Sequence, residues 1–87
     1  MGLGVTKLAQ GTYLAGDYSF TSTKAGVLIV GGRITGTATI YDNNVSKATV
    51  SGDPAWNSYK FASGRTIKVT FPGSGGTVYG EAFYVYV

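Results

Sequence analysis

The sequence predicts an all-β protein, folded as a single small antiparallel β-sandwich or jelly-roll-like barrel of about seven or eight short strands with no substantial helix. Apolar and polar residues alternate with a period of two through most of the chain, which is typical of half-buried strands. No segment keeps apolar residues at helical spacing without an interrupting glycine or Thr/Val cluster. Turn signals recur about every eight to twelve residues, as they do in small sandwiches and barrels.

The length of 87 residues indicates one domain. We divide it into an N-terminal arm or short first strand (residues 1–10) and a β-sandwich (residues 11–87). A domain this small buries only about 60–65% of its unfolded surface. The chain has no cysteine, so neither a disulfide nor a thiolate-bound metal can add stability. Its seven Tyr, four Phe and one Trp can supply buried area within the domain or across a subunit interface.

The first part of the chain alternates weakly and then becomes strongly apolar. Residues 5–10 form either a short strand or an extended arm, and residues 12–22 form strand material that Gly16-Asp17 splits with a turn or bulge. The run Val27-Leu28-Ile29-Val30 predicts a strand that is covered on both faces. Gly31-Gly32 then turns or sharply bends the backbone, because glycine alone adopts positive φ without steric cost.

Residues 33–41 alternate well and form the next strand. The inward face of this strand has small residues in its middle, Gly36 and Ala38. We therefore expect a large side chain from the facing sheet, Trp56 or Phe71, to fill the space above them. The outward face suits a strand surface but offers no reactive group; it consists of Thr35, Thr37, Thr39 and Tyr41.

The second half of the chain repeats the pattern of short strands and turns. Residues 65–71 give the clearest strand signal, with Ile67, Val69 and Phe71 expected to point inward. The other expected strands cover residues 45–51, 55–62 and 77–87. The expected turns and loops cover residues 42–44, 52–54, 63–64 and 72–76.

The charge pattern argues against a nucleic-acid partner. Seven Lys/Arg and four Asp/Glu give a net charge of +3, but the basic residues are scattered and form no cluster or stripe. No apolar run approaches the ~18 residues needed to span a bilayer, so we expect no membrane partner. The start MGLGVTKLAQ lacks the long apolar region of a secretory signal, so we expect synthesis in a cytoplasm.

The available side chains argue against an enzyme. There is no histidine and no cysteine, so the chain lacks the base of a nucleophilic triad and the usual zinc ligands. Three of the four carboxylates, Asp17, Asp42 and Asp53, lie in turn sequences where aspartate caps the backbone, and the fourth is Glu81. The glycine-rich segment 73–76 lacks the lysine and the following helix of a phosphate-binding loop. We therefore expect no catalytic residue, no cofactor and no bound metal.

Two features indicate an interaction surface. Six aromatic residues allow two interpretations: Tyr41, Trp56, Tyr59, Tyr79, Tyr84 and Tyr86. They could form a platform on which bases or sugar rings stack, or some of them could lie in the core and the others at a subunit interface. The last strand ends in an uncharged run, residues 83–87, that is apolar on both faces, so it is either central in a sheet or pairs with another chain. We expect the protein interface at Val5, Lys7, Leu8, Tyr79, Tyr84 and Tyr86.

The stretch from Gly26 to Asn44, GVLIVGGRITGTATIYDNN, carries a family resemblance. It contains a G-V-L strand followed by a strand of the type G-T-x-x-I-Y-D-N. An aromatic strand at 56–61 and a tyrosine-rich end follow. In this order of strands and turns, from Gly26 to the end of the chain, the sequence resembles small β-sandwich structural proteins of tailed bacteriophage virions.

The resemblance implies a capsid decoration, or cement, protein. Such a protein would be made in the host cytoplasm, bind the major capsid protein lattice on the capsid surface, often as a homotrimer, and stabilise the shell by mass action. Three alternatives stay open: a head–tail adaptor, tail or fibre module; a small β-barrel that binds single-stranded nucleic acid or carbohydrate; and an engineered β domain. The varied loops argue against the last of these.

Overall fold

Six strands make up most of the molecule. The computed structural model describes residues 4–87, so residues 1–3 of the expected N-terminal arm lie outside the described part. The strands are β1 (Val5–Thr12), β2 (Ala15–Thr21), β3 (Gly26–Asp42), β4 (Val45–Phe61), β5 (Thr66–Pro72) and β6 (Thr77–Tyr86). Between β5 and β6 lies a 3-10 turn, Gly73–Gly75. Within residues 4–87, no helix has the length and apolar character needed to cross a membrane.

The strands form one curled antiparallel sheet, which confirms the all-β class expected from the sequence. The order along the sheet is β1-β6-β3-β5-β2, and β4 pairs with the other side of β3. Residues 26–34 of β3 pair with β6, whereas residues 39–42 pair with β5. The long β3–β4 hairpin is therefore shared by two wings. The β6 wing contains β1, β6 and the adjoining halves of β3 and β4; the β5 wing contains β2, β5 and the other halves.

The hydrophobic core lies between the two wings. It consists of Leu28, Val30, Ile34, Ala38, Ile40, Val50, Phe61, Ile67, Val69, Phe71 and Ala82. The expected inward face of β5 is confirmed, because Ile67, Val69 and Phe71 are all buried. Each such side chain contributes about 1.5–3 kcal/mol when it leaves water, so a small domain depends on all of them.

The structure has six strands, fewer than expected, because two pairs of expected short strands are continuous. Gly31-Gly32 bends β3 without ending it: Gly32 has φ +135°, and the pairing register shifts just after it. A Cβ at Gly32 would lie 2.2 Å from the carbonyl oxygen of Tyr79, so no other residue fits this bend. Gly52, with φ +148°, similarly lies within β4.

The segment 12–22 differs from its expected form. The chain turns at Tyr13, which has φ +54°, rather than at Gly16-Asp17. Strand β1 consequently extends to Thr12, and Gly16 lies inside β2 with φ +96°. The N-terminal segment from Val5 onwards is a paired strand, one of the two forms expected for it.

The expectation that Trp56 or Phe71 fills the space above Gly36 is wrong. A Cβ at Gly36 would lie 2.9 Å from the Cα of Gly76, so the backbone of the loop before β6 occupies this space. The Gly36 amide also donates a hydrogen bond to the Gly76 carbonyl oxygen at 2.8 Å. Two backbones meet here, which explains why both positions are glycine.

Candidate protein-interaction surface

The outer side of the β6 wing, which we call the β6 face, presents side chains in three cross-strand rows. The register places Lys60, Val27, Val85 and Val5 in the first row. The second row contains Ser58, Ile29, Phe83 and Lys7. The third contains Trp56, Gly31, Glu81 and Gln10. Because residues directly opposite each other share a face, each of the first two rows has an apolar centre and one basic end, Lys60 in the first and Lys7 in the second.

The centre of the β6 face is an apolar patch open to solvent. Val27, Ile29, Phe83 and Val85 are each only partly buried, although they lie on the two central strands of this wing. Val5 at the edge of the patch is 65% exposed. A soluble domain rarely leaves a contiguous group of large apolar side chains uncovered, and such patches mark interaction sites.

Trp56 forms the opposite end of the patch and is 53% exposed. Its indole covers Gly31 of β3, where a Cβ would lie 2.2 Å from Cδ2 and 2.3 Å from Cε3 of the ring. The ring centroid lies 6.5 Å from that of Phe83, and a shallow groove beside it is lined by Ile29, Asn57 and Ser58. Glycine at position 31 therefore lets the indole lie close against the sheet.

The charged groups of the β6 face lie around its apolar centre. Lys7 and Lys60 are exposed at opposite edges. Arg33 pairs with Asp53 through its Nε at 2.7 Å; this hydrogen-bonded pair raises the pKa of the guanidinium and lowers the pKa of the carboxyl. Glu81 accepts a hydrogen bond from the Tyr79 hydroxyl at 3.2 Å. The lysines are thus the free cations of the apolar rows, since the ion pairs found in residues 4–87 are Arg33–Asp53 and Arg65–Asp42.

The outer side of the β5 wing has a different character. Thr39 of β3 lies between Thr49 and Thr70 on its neighbouring strands. Thr70 donates a hydrogen bond to Asp17 at 2.7 Å. In the next row the ammonium of Lys68 lies 4.6 Å from the centroid of the Tyr41 ring. We call this surface the threonine face; its hydroxyls and charges are well suited to contact with water.

The expected interface residues divide between two locations. Val5 and Lys7 lie on the β6 face, and Tyr79 lies at its margin, opposite Arg33 and Thr12. Leu8 packs against the core beside a register shift in β1. Tyr84 and Tyr86 also pack against the core, because they lie on the inward side of β6, which is central between β1 and β3.

Four residues at the centre of the patch, Val27, Ile29, Phe83 and Val85, were not among the expected interface positions. A sequence signal for the first two exists: the run 27–30 is apolar at every position, which predicts a strand covered on both faces. In the isolated chain Leu28 and Val30 are buried by the core, whereas Val27 and Ile29 are covered by no other wing. The run is therefore buried on one side only, and its other side forms part of the apolar patch.

A second polar cluster lies at the end of the β3–β4 hairpin. The Asp42 side chain, 7% exposed, accepts hydrogen bonds from the Tyr59 hydroxyl at 2.5 Å and from Arg65 Nε at 2.7 Å. Burial by itself raises the pKa of Asp42, but the two hydrogen bonds and the charge of Arg65 outweigh it and hold the pKa below its ordinary value. The hydrogen bond to Asp42 and burial raise the pKa of Tyr59.

This cluster links β3, β4 and the start of β5, and its groups already have protein partners. Asn43 extends it by accepting a hydrogen bond from the Thr66 amide at 2.8 Å. Across residues 4–87 there is no group of three or more His, Cys, Asp or Glu side chains placed to hold a metal ion. The cluster is therefore a structural anchor for the hairpin end.

Comparisons with known proteins show the fold. No protein-family model and no curated protein sequence matches the chain. Among solved structures, a CBM36-1 domain of a multidomain xylanase from the hindgut metagenome of Trinervitermes trinervoides is similar, with a TM-score of 0.55 and 10% identity over 99% of this chain and 98% of that one. GITRL from bushbaby gives a TM-score of 0.50 and 12% identity over 87% and 74% of the two chains. At such identities the likeness shows a β-sandwich fold and nothing of function.

Proposed function

We propose that the protein is a non-enzymatic virion structural protein of the capsid decoration type, which binds the major capsid protein lattice through the β6 face. The observation that carries the proposal is the contrast between the two outer surfaces. One is an apolar patch with Val5 and Trp56 largely exposed, and the other is lined with threonine. A domain with one apolar face and one hydroxyl-rich face is suited to lie with its apolar face on another protein and its threonine face toward solvent.

The small size of the domain gives such binding a physical benefit. Covering an exposed apolar side chain stabilises the bound state by about 25 cal/mol per Å² of surface removed from water. The patch lies on paired strands, so little conformational entropy remains to be lost when a partner covers it. A ligand that binds only the mature shell stabilises that shell by mass action, and a decoration protein acts in this way.

The proposal includes assembly as a homotrimer through the edges of the β6 wing. Within the described residues β1 pairs only with β6, and the β6-wing half of β4 pairs only with β3. Strand edges of this kind present unpaired amides and carbonyls to a neighbouring copy. Contacts made at the edges leave the β6 face free for the shell, which then binds several faces at once.

A co-sedimentation experiment tests the function. Shells assembled from the major capsid protein of the same phage are mixed with the purified chain and pelleted, and the bound copies are counted by quantitative mass spectrometry. We expect saturation at a copy number fixed by the lattice sites. Absence of binding contradicts the proposal, and saturation at a handful of copies per particle favours a head–tail adaptor, tail or fibre module instead.

Carbohydrate binding is a second candidate, favoured by the groove beside Trp56. An exposed indole with polar neighbours, here Asn57 and Ser58, is a suitable platform for a sugar ring. Titration of the chain with a panel of soluble oligosaccharides, followed by the fluorescence of its single tryptophan, tests this candidate. A saturable change supports it, provided that calorimetry, which does not depend on the tryptophan signal, shows that Trp56→Ala has lost the binding; a flat response throughout the panel removes it.

A further inference from the structure

We infer that the partner surface for the β6 face is apolar at its centre and bordered by carboxylates, and that it is not a second copy of this chain. The inference rests on the proposed function, because the partner whose chemistry it specifies is the shell surface. Its basis is the placement of Lys7 and Lys60 at the two ends of the apolar rows.

The size of the patch argues against a face-to-face dimer. The two apolar rows lie about 7 Å apart, and each extends across four strands, or about 14 Å. The area they cover is well below the ~800 Å² per partner of a standard stable interface. A pair of copies joined only by this patch would dissociate readily, whereas many copies on one shell gain from multivalent attachment.

The charges also argue against self-association. Each copy brings two exposed lysines, Lys7 and Lys60, beside its apolar rows. The carboxylate nearest to them on this face is Glu81, which lies in the third row and accepts a hydrogen bond from Tyr79. Two faces placed together would gather more positive than negative charge in a region losing water, where like charges are costly.

The same charges define a complementary partner. Lys7 ends the row of Phe83, and Lys60 ends the row of Val27, on strands separated by about 14 Å. Carboxylates at matching positions would satisfy both ammonium groups while the apolar centre is buried. Complementary charges at the rim of an interface chiefly set association rate, orientation and salt dependence.

Charge-reversal variants test the inference in the shell-binding experiment. We expect Lys7→Glu/Lys60→Glu to weaken binding about tenfold or more, because each substitution replaces an attraction to a partner carboxylate with a repulsion. The matched control, Lys24→Glu/Lys47→Glu, changes the net charge equally away from the β6 face and should change binding less than about twofold. Raising the salt concentration should weaken binding of the unaltered chain and strengthen the residual binding of the Lys7/Lys60 variant, because salt screens an attraction in the first case and a repulsion in the second.

The outcomes separate the inference from the function. If the unaltered chain fails to bind shells, the proposed function is wrong and the inference falls with it. If shells bind the chain but the Lys7/Lys60 variant and the control behave alike, the function stands and the inference is overturned. Sedimentation velocity tests whether a second copy occupies the β6 face. If the unaltered chain is an oligomer and Phe83→Thr is a monomer, the β6 face binds a second copy and the inference is overturned.

Discussion

Phe20 of β2 and Tyr84 of β6 stack face to face, with ring centroids 3.7 Å apart and planes inclined by 6°. Phe61 of β4 meets both rings edge-on, at 5.4 Å and 6.4 Å. Strands β2 and β6 are not paired through their backbones. The stacked rings therefore connect the β5 wing to the β6 wing by side-chain packing alone. Tyr84 is therefore a packing residue of the sandwich, whereas its neighbour Phe83 lies on the β6 face.

This relationship predicts opposite effects for neighbouring substitutions on β6. We expect Tyr84→Ala to lower the free energy of unfolding by about 2–4 kcal/mol, because it removes a large ring from between the wings. We expect Phe83→Thr to change it by less than about 1 kcal/mol, because threonine suits a strand and the ring contacts no core residue of the other wing. Urea denaturation followed by circular dichroism measures both. A fully stable Tyr84→Ala variant would contradict the assignment of the two faces.

The contact between Gly31 and Trp56 predicts that alanine is poorly tolerated at position 31. The new Cβ would lie 2.2 Å from the indole and 2.6 Å from the carbonyl oxygen of Ala55. The ring and the β4 backbone must both move, at an expected cost of about 1–3 kcal/mol. Tryptophan fluorescence should shift to longer wavelength as the indole leaves the sheet. Gly75→Ala is the matched control, because a Cβ there meets nothing within 4 Å; equal stability of the two variants would refute the close contact.

The Asp42 cluster predicts a loss of stability in acid. The pKa of Asp42 is lowered on folding, so its contribution is present above the unfolded value of about 3.9 and is lost as pH falls through the lower folded value. In Asp42→Asn this contribution is absent, and the free energy of unfolding should fall less steeply below about pH 4. Denaturant titrations between pH 2 and pH 7 compare the two proteins. Parallel curves would show that Asp42 makes no such contribution.

Tyr59 predicts the corresponding behaviour in alkali. Its pKa is raised on folding, so its contribution is present below the unfolded value of about 10 and is lost as pH rises through the higher folded value. Tyr59→Phe keeps the ring but removes the hydroxyl that donates to Asp42. We expect this variant to be less stable at neutral pH by about 1–3 kcal/mol and to lose less stability above pH 10. An unchanged alkaline limb in Tyr59→Phe would contradict the coupling.

The fold class and several core faces could be predicted from the sequence. Where apolar and polar residues alternate strictly, the apolar side of the strand faces the core and the polar side faces solvent. Ile67, Val69 and Phe71 alternate with polar residues, so their direction followed directly from the pattern. The two long strands were predicted as four because Gly31-Gly32 and Gly52 resemble turns, and pairing with β4 and β6 is what carries the chain through the bends. Local sequence does not contain those partners.

The exposed apolar face of β6 is harder to predict from the sequence for a different reason. In β6 the residues Phe83, Tyr84, Val85 and Tyr86 are all large and apolar or aromatic, so alternation does not reveal which pair points inward. The cross-strand register with β3 decides it, by placing Phe83 beside Ile29 and Tyr84 beside Leu28. The sequence also does not reveal whether Trp56 points inward or outward. The register between β3 and β4 decides it, by placing the indole opposite Gly31.

Docking of the β6 face on the shell can be seen in an electron cryomicroscopy map of shells saturated with the chain. We predict density in which Phe83, Val85 and Trp56 lie against the major capsid protein, with Lys7 and Lys60 near its carboxylates and the threonine face toward solvent. A map in which Thr39 and Thr70 contact the shell while the β6 face remains exposed would show that the protein does not dock through the β6 face.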